Sequence, residues 1–233
     1  MFEISIGRSV SINSESLVSP LIVLGQIGQG RSTAIEKILV ELVSRNQKGI
    51  YYDPFGDLCL DFEHNFISEE AKNRYQVISQ EDSALILEMA QKKMVLIQGK
   101  KMEDGAINTR KKGKALMKRI IPILKKEDWL IVDEAWEYVE DDLFESYFSG
   151  NVKTVLSIES MIPLSSPQRS VAFKSCTNLI VYKSRRIDGK LLEENFPEYF
   201  SIKDLSAIKQ YHFQYFDREN ISYDTVPWPI EKI

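Results

Sequence analysis

The stretch Leu21 to Thr33, L-I-V-L-G-Q-I-G-Q-G-R-S-T, limits what this chain can fold into more than any other. Four consecutive apolar residues suit a strand buried on both faces. Beyond the glycines, Ile35, Ile38, Leu39, Leu42 and Val43 repeat at helical spacing, which predicts a helix from about Ser32 to Arg45. Strand, glycine loop and helix in this order form a unit whose backbone N–H groups and helix N-terminus hold phosphates. The run from Gly25 across four residues to Gly30, Arg31 and Ser32 has the Walker A spacing, with Arg31 where the phosphate-reaching lysine is expected. The competing explanation is a strand-turn-helix whose glycines only permit close packing.

A second element makes that explanation weaker. Trp129-Leu130-Ile131-Val132 reads as a buried strand, and it is closed by Asp133 and Glu134. Adjacent carboxylates at the end of such a strand are costly unless they meet a cation or water. Taken as a pair with the glycine loop, the two elements assign roles. Gly25, Gly28, Gly30, Arg31, Ser32 and Thr33 bind the phosphates of ATP, Ser32 and Asp133 hold Mg²⁺, and Glu134 polarises the attacking water as general base. The alternative is that Asp133 and Glu134 cap the following helix.

Around these elements the pattern alternates between strands and helices, which predicts an α/β fold. Phe2 to Ile12 alternates at period two and reads as a strand or small hairpin on the core's edge. Strands are expected at Gly49 to Tyr52, Gln76 to Ile78, Met94 to Gln98, Val152 to Ser157 and Asn178 to Tyr182, with a closing hairpin over Tyr211 to Phe216 and Ile221 to Val226. Helices are expected from Ser68, over Ser83 to Ala90, Ile107 to Leu124, Trp136 to Phe148, Arg169 to Ser175 and Ile187 to Asn195, and near Ile202 to Ile208. Pro122 implies a kink or early end in the third of these. At 233 residues, with 43% apolar and 27% charged residues, the chain suits a single domain over residues 1–233 and gives no sign of disorder. No apolar run approaches the roughly 20 residues that span a bilayer, so the expectation is a cytoplasmic protein, or one in host cytoplasm or virion if viral. Cys59 and Cys176 lack metal-ligand spacing and read as reduced, packed thiols.

Charge is unevenly spread. Between Lys92 and Lys126 stand twelve Lys or Arg against Glu103 and Asp104, so the remainder carries −14 to reach the net −4. Such a segment suits a polyanion such as DNA, or simply a solvated helix face.

The order G-x-x-x-x-G-[KR]-S, then Y-Y-D-P-F-G-D-L at Tyr51 to Leu58, then L-I-V-D-E-A at Leu130 to Ala135, resembles the HerA/FtsK superfamily of P-loop motors. That superfamily includes DNA translocases, type IV secretion and conjugative coupling ATPases, and small viral genome-packaging ATPases. The tail I-K-Q-Y-H-F-Q-Y-F-D at Ile208 to Asp217 is similar to the closing strand of the packaging members. The resemblance implies a RecA-like, mainly parallel sheet flanked by helices, and a homo-oligomeric, hexameric ring around DNA, with a partner ATPase, portal or secretion component. It also marks departures. Where the family has a polar sensor after the Walker B strand, Ser157-Ile158-Glu159 puts a carboxylate, and Phe148 to Lys153 holds no finger arginine. Glu159 repels a γ-phosphate unless Arg31 or another cation intervenes. Lys153, Arg169, Arg185 and Arg186 are the remaining finger candidates. Two functions follow: a DNA-moving ATPase, or a hydrolysis-poor subunit beside an active one. A small-molecule kinase is disfavoured by the Asp-Glu pair.

Overall fold

The computed structural model describes residues 2–17, 19–56, 58, 59, 62, 69–99, 105–137 and 141–226. Its centre is a nine-stranded sheet built from β3 (Leu21–Leu24), β4 (Gly49–Asp53), β5 (Tyr75–Ser79), β6 (Met94–Gln98), β7 (Trp129–Val132), β8 (Lys153–Ile158), β9 (Asn178–Val181), β10 (His212–Phe216) and β11 (Ile221–Thr225). The order across it is β11-β10-β9-β3-β8-β7-β4-β6-β5. From β9 to β5 every pairing is parallel; β10 and β11 extend it antiparallel as the expected closing hairpin. That hairpin turns on Asp217, whose carboxylate accepts from Glu219 N (3.1 Å) and Asn220 N (2.7 Å).

The central strands are apolar throughout because both of their faces are covered. Leu21, Val23, Tyr51, Trp129, Ile131, Val155 and Ile180 face one core, which is roofed by α1 (Arg31–Ser44). Their alternates Ile22, Leu24, Tyr52, Leu130, Val132, Leu156 and Val181 face the other. There the cover comes from α2 (Ser83–Met89), α3 (Ala106–Ile120), α4 (Asp141–Phe148), α5 (Ser166–Ser175), α6 (Arg186–Asn195) and α7 (Ile202–Ala207). The result is a helix–sheet–helix α/β architecture, as the sequence pattern implies.

The N-terminal residues form a separate antiparallel pair, β1 (Glu3–Ser5) and β2 (Ser11–Asn13), in register Ile4 to Ile12. Ile4, Ile6, Val10 and Ile12 join the first core. The Asp224 carboxylate fastens the turn between the two strands by accepting from Ser9 N (2.7 Å) and Val10 N (2.8 Å). The expected docked hairpin is therefore present, held by the other end of the described chain.

Some boundaries differ from expectation. The helix expected over Ile107 to Leu124 ends early, at Ile120, as Pro122 implies, and tightens into a 3₁₀ turn, Ile121–Ile123, because Pro122 has no N–H for an α-helical bond. The helix expected from Trp136 to Phe148 is a 3₁₀ turn, Ala135–Glu137, and then α4; residues 138–140 lie outside the described set. The helix expected from Ser68 is described from Glu69 on, as a 3₁₀ helix, Glu69–Arg74. Asp57, His64 and residues 100–104 of the basic segment also lie outside the described residues. No described helix is long and apolar enough to cross a membrane.

Candidate nucleotide site at the C-terminal edge of the sheet

Parallel pairing puts the C-terminal ends of β3, β8, β7 and β4 along one edge, so the loops carrying Gly25–Thr33, Glu159, Asp133–Glu134 and Asp53 line up there. The chain runs from β3 to β4 on one side, and later crosses from β8 over β3 to β9 on the other. Open α/β sheets bind ligands at such reversals of strand order. Crucially, β8 lies between the glycine-loop strand and the Asp133–Glu134 strand.

The glycine loop is framed from below. Gly25 N donates to Ile158 O (3.2 Å) and Gln26 N to Lys183 O (3.0 Å), tying the loop's start to β8 and to the residues after β9. The glycines do different jobs. A Cβ at Gly25 would sit 2.6 Å from Tyr182 Cβ, and one at Gly30 would sit 2.9 Å from Tyr182 Cε1, so close packing explains both positions. Gly28 is different: its φ is +76°, and a Cβ there meets nothing within 4 Å. The packing explanation accounts for two of the glycines and leaves the tip of the loop open. Gly30, at φ +119°, caps α1 without a side-chain hydrogen bond, and the first turn of α1 has no acidic residue.

Ile27, Gly28, Gly30, Arg31, Ser32, Thr33 and Tyr211 line a cavity of about 220 Å³. Ser32 is exposed at its lip, whereas Arg31 is buried. Arg31 Nη1 reaches Ser157 Oγ at a long 3.4 Å, and Arg31 Nε is buried with no hydrogen-bond partner among the described residues. The guanidinium thus turns toward β8, next to the Glu159 loop, with donor capacity unmet.

Glu134, Trp136, Ile158, Glu159, Ser160, Ile162, Pro163 and Arg185 line a second cavity, of about 200 Å³. Glu134 holds a left-handed backbone, φ +48°, which is uncommon for a residue with a Cβ. Its amide donates to Asp133 Oδ1 (3.0 Å), and Asp133 N in turn donates to Tyr52 O (3.1 Å). Asp133 therefore bonds its immediate neighbour's amide, not the second or third amide of a following helix as a cap does. Both carboxylates are only partly buried. An exposed hydroxyl and a partly buried carboxylate are oxygen donors of the kind Mg²⁺ takes, so Ser32 and Asp133 suit such an ion chemically. Asp133 lines neither cavity.

Glu159 is not left to repel a phosphate alone. Arg185, at the N-terminus of α6, forms an ion pair with it, and this is the intervening cation that the sequence leaves unspecified. Three residues on, Asp188 is fully buried and accepts from Ser160 Oγ (2.9 Å) and Met161 N (2.7 Å), pinning the loop that follows Glu159. Burial raises the Asp188 carboxyl above its ordinary value. Neither partnership is visible in the sequence, since Arg185 and Asp188 follow β9 and reach this loop only because β9 crosses over β3. Of the other finger candidates, Arg169, in the first turn of α5, donates to Leu164 O (2.7 Å) in the loop just ahead of that helix. Lys153 starts β8, at the opposite edge of the sheet, where it pairs with Glu127 (3.4 Å) and lies over Trp129.

Asp53 opens the D-P-F-G-D turn at the end of β4 and is 2% exposed. Its carboxylate accepts from Phe55 N and Cys59 N, both at 3.1 Å. It organises the turn and lines neither of the two cavities described above. Burial, with a contribution from Asp133, pushes its pKa up to about 6 despite the amides of Gly56, Cys59 and Phe55, which lower it.

No protein-family model and no curated protein matches the sequence. Solved structures do match in three dimensions. The genome-packaging NTPase B204 of Sulfolobus turreted icosahedral virus 2, in complex with AMP, superposes with a TM-score of 0.56 at 17% identity, over 93% of this chain and 100% of its own. The bacterial conjugative coupling protein TrwB, lacking its first 70 residues, gives a TM-score of 0.71 at 10% identity, over 97% and 88%. VirB4 of Thermoanaerobacter pseudethanolicus gives 0.62 at 9% identity, over 97% and 96%. At such identities the likeness establishes the fold, a RecA-like P-loop NTPase core. At that level it bears out the mainly parallel, helix-flanked sheet that the motif resemblance implies.

Proposed function

We propose that this chain is a single-domain, ATP-binding motor subunit of the HerA/FtsK type, coupling ATP hydrolysis to DNA movement in genome packaging or conjugative transfer. One observation carries the nucleotide reading: a buried guanidinium, Arg31, with an unsatisfied Nε beside an open glycine loop. Burying such a group is costly unless an anion satisfies it. In this reading the backbone of Gly25–Thr33 cradles the phosphates, and Arg31 reaches them as the lysine of the motif does. Ser32 and Asp133 would hold Mg²⁺, which would supply positive charge to offset the charge developing on the phosphates. Glu134 takes the proton of the attacking water, and Glu159, neutralised by Arg185, stands beside that water. The matching structures support the ligand class, since B204 is seen in complex with ATP-γS and TrwB with a non-hydrolysable GTP analogue. A cytoplasmic or virion-associated homo-oligomeric ring is part of the same proposal.

The test is Mg²⁺-dependent ATP turnover by the purified chain and its Arg31→Lys variant, with and without DNA. Turnover stimulated by DNA in the wild type is the expected result. Nucleotide binding with no turnover, restored by Arg31→Lys, assigns the chain instead to a hydrolysis-poor partner subunit. Arginine's planar fork is bulkier than an ammonium, so this swap is not neutral at a phosphate.

DNA contact is assigned to α3 and its neighbours. Part of the basic segment is already engaged, since Lys112 pairs with Glu81 (2.8 Å) and Lys92 with Glu88 (2.6 Å). Lys111 is exposed on α3 and is the cleaner probe. Lys111→Glu is expected to weaken DNA binding across sequences and lower the magnitude of the log K against log salt slope by about 1. An unchanged slope, measured by fluorescence anisotropy, returns the segment to a solvated surface.

A further inference from the structure

The glycine loop has a wall that no motif announces. Tyr211, just ahead of β10, donates its amide to Gln29 O (2.9 Å), and the preceding Gln210 Nε2 donates to Gly28 O (2.8 Å). The Tyr211 carbonyl accepts from Val226 N (3.0 Å) and Thr225 Oγ1 (2.9 Å). These bonds hold a tyrosine at φ +62°, a left-handed conformation that bulky side chains avoid. Its ring lies against Gly30, where a Cβ would come within 3.1 Å of Tyr211 Cδ1, yet the residue stays 40% exposed. Ile27, 72% exposed, lines the same cavity as Tyr211, Gly28, Arg31 and Ser32.

A turn that needs positive φ is met most cheaply by glycine or asparagine. Here the chain holds an aromatic ring in that conformation and leaves it facing a cavity lined by the phosphate cradle. Strained residues persist where surrounding bonds over-determine them, and they gather at ligand clamps. A flat apolar face next to a phosphate cradle suits the one part of a nucleotide the cradle does not hold.

We propose that Tyr211 is the platform on which the base of a bound nucleoside triphosphate stacks. This rests on the nucleotide reading above and adds the residue that recognises the base. Stacking uses the π-face that every base has, so the slot accepts ATP and GTP with similar affinity. The closing hairpin thereby becomes part of the site, because it carries the platform onto the loop.

The test is calorimetric titration of the full chain with ATP and with tripolyphosphate, each with Mg²⁺, for the wild type, Tyr211→Ala, Tyr211→Phe and Tyr211→Asn. Tyr211→Ala and Tyr211→Asn are expected to bind ATP about tenfold more weakly and tripolyphosphate as the wild type does, while Tyr211→Phe retains ATP affinity. Tyr211→Asn, which tolerates the left-handed backbone, is expected to melt at a higher temperature than Tyr211→Ala, separating lost affinity from lost stability. Equal weakening for ATP and tripolyphosphate, or unchanged ATP affinity in Tyr211→Ala, overturns the platform. Wild-type protein that binds tripolyphosphate as tightly as ATP overturns the platform and leaves the phosphate cradle standing. Wild-type protein that binds neither overturns the nucleotide reading itself.

Discussion

Glu134→Gln is expected to lower ATP turnover by about 10²–10⁴-fold, the usual range for loss of a general base, while leaving nucleotide affinity nearly unchanged. Glutamine preserves the shape of the side chain and removes its ability to take a proton. The backbone there, φ +48°, costs on the order of 1–2 kcal/mol in a residue with a Cβ, and the hydrogen bond from its N–H to Asp133 Oδ1 helps hold it. The proposed base is a strained acid lining a cavity that also holds a second acid, Glu159, whose charge Arg185 offsets. Glu159→Gln separates the two carboxylates. If Glu134 is the base, Glu159→Gln retains measurable turnover where Glu134→Gln does not. Equal turnover in Glu134→Gln and wild type, by a steady-state phosphate-release assay, removes Glu134 from that role. A variant that also fails to bind nucleotide shows that the substitution disturbed the site and not the proton transfer alone.

The parts of this fold that could be read from the sequence are those whose physics is local. β3, β7 and β9 are uninterrupted apolar runs because both sides of the sheet are roofed, and α1 shows its buried stripe at helical spacing. The hairpin β10–β11 is marked by its Asp217–Asn220 turn. The less legible features depend on residues far apart in the chain. Gly25 and Gly30 are glycine partly because Tyr182 lies beneath them, and that follows from β9 pairing with β3. The Arg185–Glu159 pair and the Asp188 anchor need the same crossover. Tyr211 is silent in the sequence because its left-handed backbone is imposed by contacts with Gln29 and Val226, 182 and 15 positions away. The 3₁₀ turns at Ala135–Glu137 and Ile121–Ile123 break helices that periodicity alone would continue. The motif residues therefore stand out in the sequence, whereas the distant side chains packed and paired around them do not.

Asp53 gives the fold a dependence on pH with a definite sign. Its carboxyl titrates at about 6 in the folded chain against 3.8 as its ordinary value, chiefly because burial disfavours the charge. Between those values the folded state keeps a proton that the unfolded chain has released, so folding is favoured at the acid end. The contribution is present in full below about pH 4 and is lost as pH rises through about 6, amounting to about 3 kcal/mol. Asp53→Asn cannot ionise, so the stability gap between variant and wild type is expected to change by that amount from pH 4 to pH 7.5, in the variant's favour at high pH. The amide keeps only one acceptor for the Phe55 and Cys59 amides, which imposes a loss of about 1–2 kcal/mol that does not vary with pH. Urea unfolding at several pH values separates the two effects, since Asp188 and the other carboxylates are common to both proteins. A gap constant across that interval would show that Asp53 titrates normally. The charge on Asp133 helps raise the Asp53 pKa, so Asp133→Asn is expected to move the window to lower pH. That shift would couple the turn at the end of β4 to the carboxylate at the end of β7 through a measured proton, with no nucleotide present.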